Sequence, residues 1–225
     1  MPMRTLRNGY HLWTQYRLCP RNVQFRVLIR FLTCPFEKFL EVLPNTGRIL
    51  DVGCGDGQLL FWLTEEPGSQ HQAVGIDFDQ DKINHARKIA IPRTEFFSHD
   101  IGLLSSATFD AVCISHVMYL IPINLWPGLL KECFRVLKTG GKLVIMESVA
   151  KHSWKSRLAH VQELISVYVT RMTKGEMVAS WPSETYRQKI EEAGECPVLV
   201  EKIDSGFLHP HVLFSTTKRS YIEAR

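Results

Sequence analysis

The stretch Ile49-Leu50-Asp51-Val52-Gly53-Cys54-Gly55-Asp56-Gly57 decides how this chain is read. A short apolar run closes on three glycines at alternate positions, and a helical pattern, Gln58–Glu65, follows at once. Glycine has no Cβ, so such a loop can turn tightly and let a ligand approach the backbone. In an open α/β sheet it sits at the carboxyl end of the first strand, where ligands bind. Around this first strand, expected at Arg48–Gly53, further runs of strand length lie at Gln72–Asp77, Glu95–Ser98, Ala111–Ser115 and Lys142–Glu147. Helical patterns alternate with them at Gln80–Ile89 and Gly128–Lys138, the latter stopped by Thr139-Gly140-Gly141. Repeated alternation of this kind predicts a doubly wound, mostly parallel sheet. The tail changes rhythm. Ser183 after Pro182 starts a helix to Gly194, and the strands Val198–Ile203 and His211–Thr217 follow. About seven residues between these strands are too few for a helical crossover, so an antiparallel hairpin is expected.

The chain has 225 residues, 45% of them apolar, which suits one domain with a sizeable core. The net charge of +4 gives little support to nucleic-acid binding, but its distribution is uneven. Arg4, Arg7, Arg17, Arg21, Arg26 and Arg30 precede the first acid, Glu37. Residues 1–45 carry two helical patterns broken at Pro35 and form an N-terminal helical arm; residues 46–218 form the main domain, and 219–225 a tail. Within that domain, 150–181 is an insertion with an apolar stripe (Trp154, Leu158, Val161, Ile165, Tyr168). The six cysteines form no CxxC pair or zinc-like cluster, so a reducing cytoplasm is the expected setting and no metal is expected.

Three residues turn the glycine loop toward a particular ligand class. Asp77 ends the second strand, where an acid can accept two hydrogen bonds from ribose hydroxyls. Gln58 stands where a dinucleotide site would carry its third glycine. Asp51, two residues ahead of the loop, would repel a pyrophosphate but suit an ammonium group. A nucleoside with a cationic amino-acid tail fits this set better than NAD does.

From about Arg48 to Thr217 the chain resembles the class I S-adenosylmethionine-dependent methyltransferases. Asp51 through Gly57 match that family's glycine-rich motif, and Asp77 its ribose-binding acid. Ser98-His99-Asp100-Ile101 match the segment whose acid meets the adenine amino group. Phe109-Asp110-Ala111-Val112 match the fourth strand, and Leu137-Lys138-Thr139-Gly140-Gly141 its Leu-Lys-Pro-Gly-Gly turn, with Thr139 in place of proline. The resemblance implies a Rossmann-like sheet of seven strands with a C-terminal antiparallel hairpin, and S-adenosylmethionine as cofactor. It implies a cofactor pocket formed by Asp51, Gly53, Cys54, Gly55, Gly57, Asp77, Phe78, Asp100, Ile101 and Ser115. The 150–181 insertion takes the place of a substrate cap.

Because the sulfonium activates the methyl group, the protein must align a nucleophile and manage one proton. His116 and Glu147, ending the fourth and fifth strands, are the candidate proton acceptors. Their alternatives are a pocket-lining histidine and a carboxylate that holds a loop. His209 and His211 flank the hairpin turn and are read as turn-tip surface residues. The whole-chain pattern is similar to small bacterial methyltransferases of acyl-chain or polyketide-type pathways. That favours a hydroxyl or similar nucleophile on a small or lipid-like acceptor, with no nucleic-acid partner. A nicotinamide-dependent oxidoreductase and a binding module without catalysis are the competing readings. The arm is read first as a lid on the cofactor site and second as a basic segment in a membrane interface.

Overall fold

The strands are Thr46–Val52 (β1), Gln70–Ile76 (β2), Thr94–Phe97 (β3), Phe109–Ser115 (β4), Leu137–Ser148 (β5), Leu199–Ile203 (β6) and His211–Thr217 (β7). They form one sheet ordered β3-β2-β1-β4-β5-β7-β6. This is a computed structural model that describes residues 5–65, 68–148, 181–203 and 210–220. Strands β1 to β5 pair in parallel, and β7 runs antiparallel to both β5 and β6. Central strands are apolar on both sides because both faces are covered: Ile49 and Leu50, Cys113 and Ile114, Val144 and Ile145 are all fully buried. Gln58–Glu65 (α1), Gln80–Lys88 (α2) and the N-terminal arm pack on one face. Trp126–Val136 (α3) and Ser183–Gly194 (α4) pack on the other.

Element boundaries moved where backbone pairing overrides side-chain pattern. β1 and β2 each begin two residues earlier than their apolar runs, because Thr46 pairs with Gln70 through main-chain groups alone. Helix α3 ends at Val136 rather than Lys138. Leu137 is already extended, with φ −68° and ψ 138°, and pairs with Phe109. The Thr139-Gly140-Gly141 turn therefore lies within the strand, and Gly140 at φ +77° donates its N–H to the Lys218 carbonyl.

The arm holds three helices rather than two: Leu6–Gln15 (αA), Arg21–Thr33 (αB) and Glu37–Val42 (αC). The unforeseen break is at Pro20, which has no N–H to continue a helix and sits at φ −55°, ψ 152° ahead of αB. Leu12, Tyr16, Val23, Val27, Phe31, Phe36 and Phe39 are buried in the same cluster as Ile49 and Leu60. Each such burial contributes about 1.5–3 kcal/mol gross, which holds the arm against the sheet face. The 150–181 insertion lies outside the described residues except for Trp181, whose ring stands edge-on to Trp126 at 6.4 Å.

Candidate functional site

Strand β1 delivers the glycine loop to the carboxyl edge of the sheet. Gly53, Gly55 and Gly57 take φ of +74°, +56° and +82°, a region that side chains with a Cβ rarely enter. A Cβ on Gly53 would meet Val117 at 2.5 Å, and one on Gly57 would meet Phe96 at 2.8 Å. Gly55 differs. Its nearest neighbour would be Lys82 at 4.0 Å, so it borders open space that a side chain would fill. The Gly55 N–H donates to Asp77 Oδ2 at 2.9 Å, and the Asp79 N–H to Asp77 Oδ1 at 2.8 Å. Each carboxylate oxygen has further lone-pair capacity for a ligand hydroxyl. Phe78, the next residue, presents its ring to solvent at 80% exposure. Asp100 is exposed and accepts from the Gly102 N–H at 2.6 Å, with Ile101 buried behind it.

Beneath the loop lies a small pocket bordered by Arg30, Asp51, Gly53, Cys54, Asp56 and Ser115. Asp51 is 2% exposed, and its Oδ1 has no hydrogen-bond partner among the described residues. Burial pushes its pKa up to about 7; the Arg30 guanidinium pulls it down and Asp77 pushes it up. Burial also raises the Cys54 thiol, which Asp51, Asp77 and Asp56 reinforce. That thiol is a packing group.

The arm closes one side of this pocket with polar contacts. Arg26 forks onto Asp56, with Nε to Oδ2 at 2.9 Å and Nη2 to Oδ1 at 2.7 Å. The Tyr16 hydroxyl donates to the Asp56 carbonyl at 2.7 Å, and His85 Nδ1 lies 3.2 Å from Asp56 Oδ1. The Gln58 amide donates to the Val27 carbonyl at 2.9 Å. Arg30 reaches the Ser115 carbonyl at 3.4 Å. None of these arm residues was singled out as part of the site from sequence. Spacing held a signal: Arg26 and Arg30, four apart, share a helix face, opposite the acids Asp51 and Asp56 of the loop.

At the ends of β4 and β5 the candidate proton acceptors part company. Glu147 is fully buried, and its Oε1 accepts from the N–H of Val117 at 2.9 Å and of Met118 at 2.7 Å. That binding holds the loop after β4, the alternative role that the sequence offers for this carboxylate. His116 is half-buried at the strand end, in the left-handed region at φ +56°, with its N–H donating to Met146. His211 is not a turn-tip surface residue. It begins β7 opposite Ser148, is 2% exposed, and its Nδ1 lies 2.9 Å from His116 Nε2. The strand begins at His211 as its pattern predicts; the ring is covered because β7 is an inner strand, with His211 paired to Ser148 of β5 and to Ile203 of β6. His209 lies outside the described residues.

The chain is similar to known proteins in sequence and in fold. A family described as a methyltransferase domain matches residues 49–141. The demethylmenaquinone methyltransferase of Lactococcus lactis subsp. lactis is 34% identical over 106 residues, 44% of this chain and 41% of that protein. The aklanonic acid methyltransferase of a Streptomyces strain is 31% identical over 135 residues, 55% of this chain and 59% of that protein. The matches thus span less than two thirds of either relative. In structure, the chain is similar to a SAM-dependent methyltransferase from Methanosarcina mazei, at TM-score 0.61 and 17% identity, covering 81% of this chain and 98% of that one. Residues 49–141 thus match a methyltransferase domain, and the seven-stranded sheet that carries them shares its fold with that neighbour.

Proposed function

We propose that this chain transfers a methyl group from S-adenosylmethionine to a hydroxyl of a small lipid- or polyketide-like acceptor. The observation that carries the reading is Asp51: a buried carboxylate with an unpartnered oxygen, beside Arg30, at the mouth of a glycine loop. A carboxylate and a guanidinium side by side match the ammonium and carboxylate of an amino-acid tail. A pyrophosphate would be repelled by Asp51, which argues against the nicotinamide alternative. Asp77 would hold the ribose hydroxyls, Phe78 and Ile101 would flank the adenine, and Asp100 would meet its amino group. Cys54 and Ser115 complete the wall beside the backbone of Gly53, Gly55 and Gly57. When bound, the cofactor supplies a methyl group already activated on a sulfonium. The protein's part is to align the acceptor, exclude water and take one proton, for which His116 is the candidate group.

For the acceptor class, support comes from relatives named for demethylmenaquinone and aklanonic acid rather than for a protein or nucleic acid. The arm supports a lipid-facing setting. Leu6, Tyr10, Leu18, Phe25, Ile29 and Leu32 are all exposed, and so are Arg7, Arg17 and Arg21.

Calorimetric titration with S-adenosylhomocysteine tests the cofactor reading. Binding is expected to weaken roughly 30- to 150-fold in Asp77→Ala, a loss of about 2–3 kcal/mol, with a smaller loss in Asp77→Asn. Absence of binding to the wild-type chain ends the reading. Labelled-methyl transfer to quinol and aromatic polyketide acceptors then tests turnover. Cofactor binding with transfer to neither class would favour the binding-module alternative.

A further inference from the structure

Two histidines 95 residues apart form a directed chain at the edge of the pocket. Ser115 Oγ lies 3.2 Å from His116 Nδ1, His116 Nε2 lies 2.9 Å from His211 Nδ1, and His211 Nε2 lies 2.9 Å from the Thr33 carbonyl. The last contact fixes the direction of the others. A carbonyl only accepts, so His211 Nε2 carries a proton. The neutral His211 ring then has a bare Nδ1, which requires the proton of the inter-ring contact to belong to His116 Nε2. The neutral His116 ring therefore has its lone pair on Nδ1, where it accepts from Ser115, a residue that borders the pocket. In the opposite tautomer two lone pairs would face each other at 2.9 Å. One tautomer is set through three contacts, starting from a backbone atom at the end of αB.

We propose that His211 is a positioning residue that locks His116 with Nδ1 as its basic, pocket-side nitrogen. The inference rests on the methyl-transfer reading, because a hydroxyl acceptor must give up its proton to such a base. In that step the acceptor's O–H bond breaks as its O–CH₃ bond forms and the S–CH₃ electron pair stays with sulfur; the acceptor's proton passes to Ser115 Oγ as the Ser115 hydroxyl proton moves to His116 Nδ1. The charge is then shared across the His116 Nε2–H···Nδ1 His211 bond, and the Thr33 carbonyl steadies the far N–H. The inter-ring contact holds a single proton, so the pair takes up one proton as a unit and a second only by breaking that bond. Thr33 belongs to the arm, so the base is oriented by the same segment that closes the cofactor pocket.

The test reads the lock without an acceptor. Two-bond ¹H–¹⁵N spectra of the full-length, ¹⁵N-histidine-labelled chain above neutral pH separate bare from protonated ring nitrogens. His116 signals are assigned by their loss in His116→Gln. Both His116 and His211 are expected to show a bare Nδ1 and a protonated Nε2. In folded His211→Phe, His116 should lose this single tautomer. In His211→Gln it should regain it, because the carboxamide oxygen and nitrogen match the spacing of the two ring nitrogens. A protonated Nδ1 on wild-type His116 overturns the proposal, and so does an unchanged His116 tautomer in folded His211→Phe. If the Phe variant does not fold, the wild-type and Gln spectra decide. Titrating S-adenosylhomocysteine into the same sample separates the two levels. No binding overturns the proposed function, whereas the wrong tautomer with cofactor bound overturns only the lock.

Discussion

Asp51 couples the cofactor site to pH. Burial holds its carboxyl at about 7, with Arg30 opposing and Asp77 reinforcing the shift. The unfolded chain ionises the same group near pH 4. Between those values the folded chain holds a proton that the unfolded chain has released. Asp51 therefore makes the unliganded protein lose stability as pH rises through that window. A ligand ammonium needs the charged carboxylate, so binding has the opposite trend. Affinity for S-adenosylhomocysteine is expected to fall by up to about tenfold per unit as pH drops below 7, and to level off above it. Asp51→Asn should bind weakly at every pH and lose that slope. A slope that persists in the Asn variant would place the titrating group elsewhere. Tyr16, its hydroxyl 2.7 Å from the Asp56 carbonyl, adds no slope in this range, because burial raises its pKa well above the ordinary 10.

The arm and the glycine loop hold each other as elements. The Arg26–Asp56 pair is shielded, with side-chain exposures of 15% and 8%. Removing one partner of a buried pair leaves an uncompensated charge, at about 3–5 kcal/mol. The nearby His85 offsets some of this, so Arg26→Ala should cost about 3 kcal/mol and lower the melting temperature by roughly 6–12 °C. A Tm within 2 °C of wild type, as calorimetry would show, contradicts the clamp. This clamp was not legible in the sequence, whereas the β-α alternation and the loop were. Asp51, Gly55 and Asp77 act through backbone turns and strand ends, which a few neighbouring residues specify. Arg26 and Asp56 are 30 residues apart, and His116 and His211 are 95. Their pairing depends on how αB lies on the sheet and on β7 lying beside β5, which local pattern does not encode. The early end of α3 has the same origin, since the pairing of Leu137 with Phe109 overruled side-chain periodicity; the break at Pro20 is local, the effect of one missing N–H.

The whole molecule presents two unlike faces of the arm. Inward, Leu12, Tyr16, Val27 and Phe31 join the core; outward, Leu6, Tyr10, Leu18, Phe25, Ile29 and Leu32 stay exposed among arginines. No helix among the described residues is long and apolar enough to cross a membrane. The two early readings of the arm are therefore compatible, since one face can close the pocket while the other meets a lipid surface. Apolar side chains beside basic ones suit an interface with anionic headgroups, where each arginine near the surface adds about 1 kcal/mol. With Arg7, Arg17 and Arg21 all exposed, the gain is about 3 kcal/mol, or roughly a hundredfold, at low salt. Sedimentation with vesicles of anionic or neutral lipid reads this directly. The chain should pellet with the anionic vesicles only, and less so at moderate salt, because screening shortens the reach of surface charges. Replacing Arg7, Arg17 and Arg21 together by Gln should abolish pelleting and leave the melting temperature unchanged, since these side chains lie outside the core. A chain that stays in the supernatant at low salt removes the membrane contact and leaves the arm as a wall of the cofactor site alone.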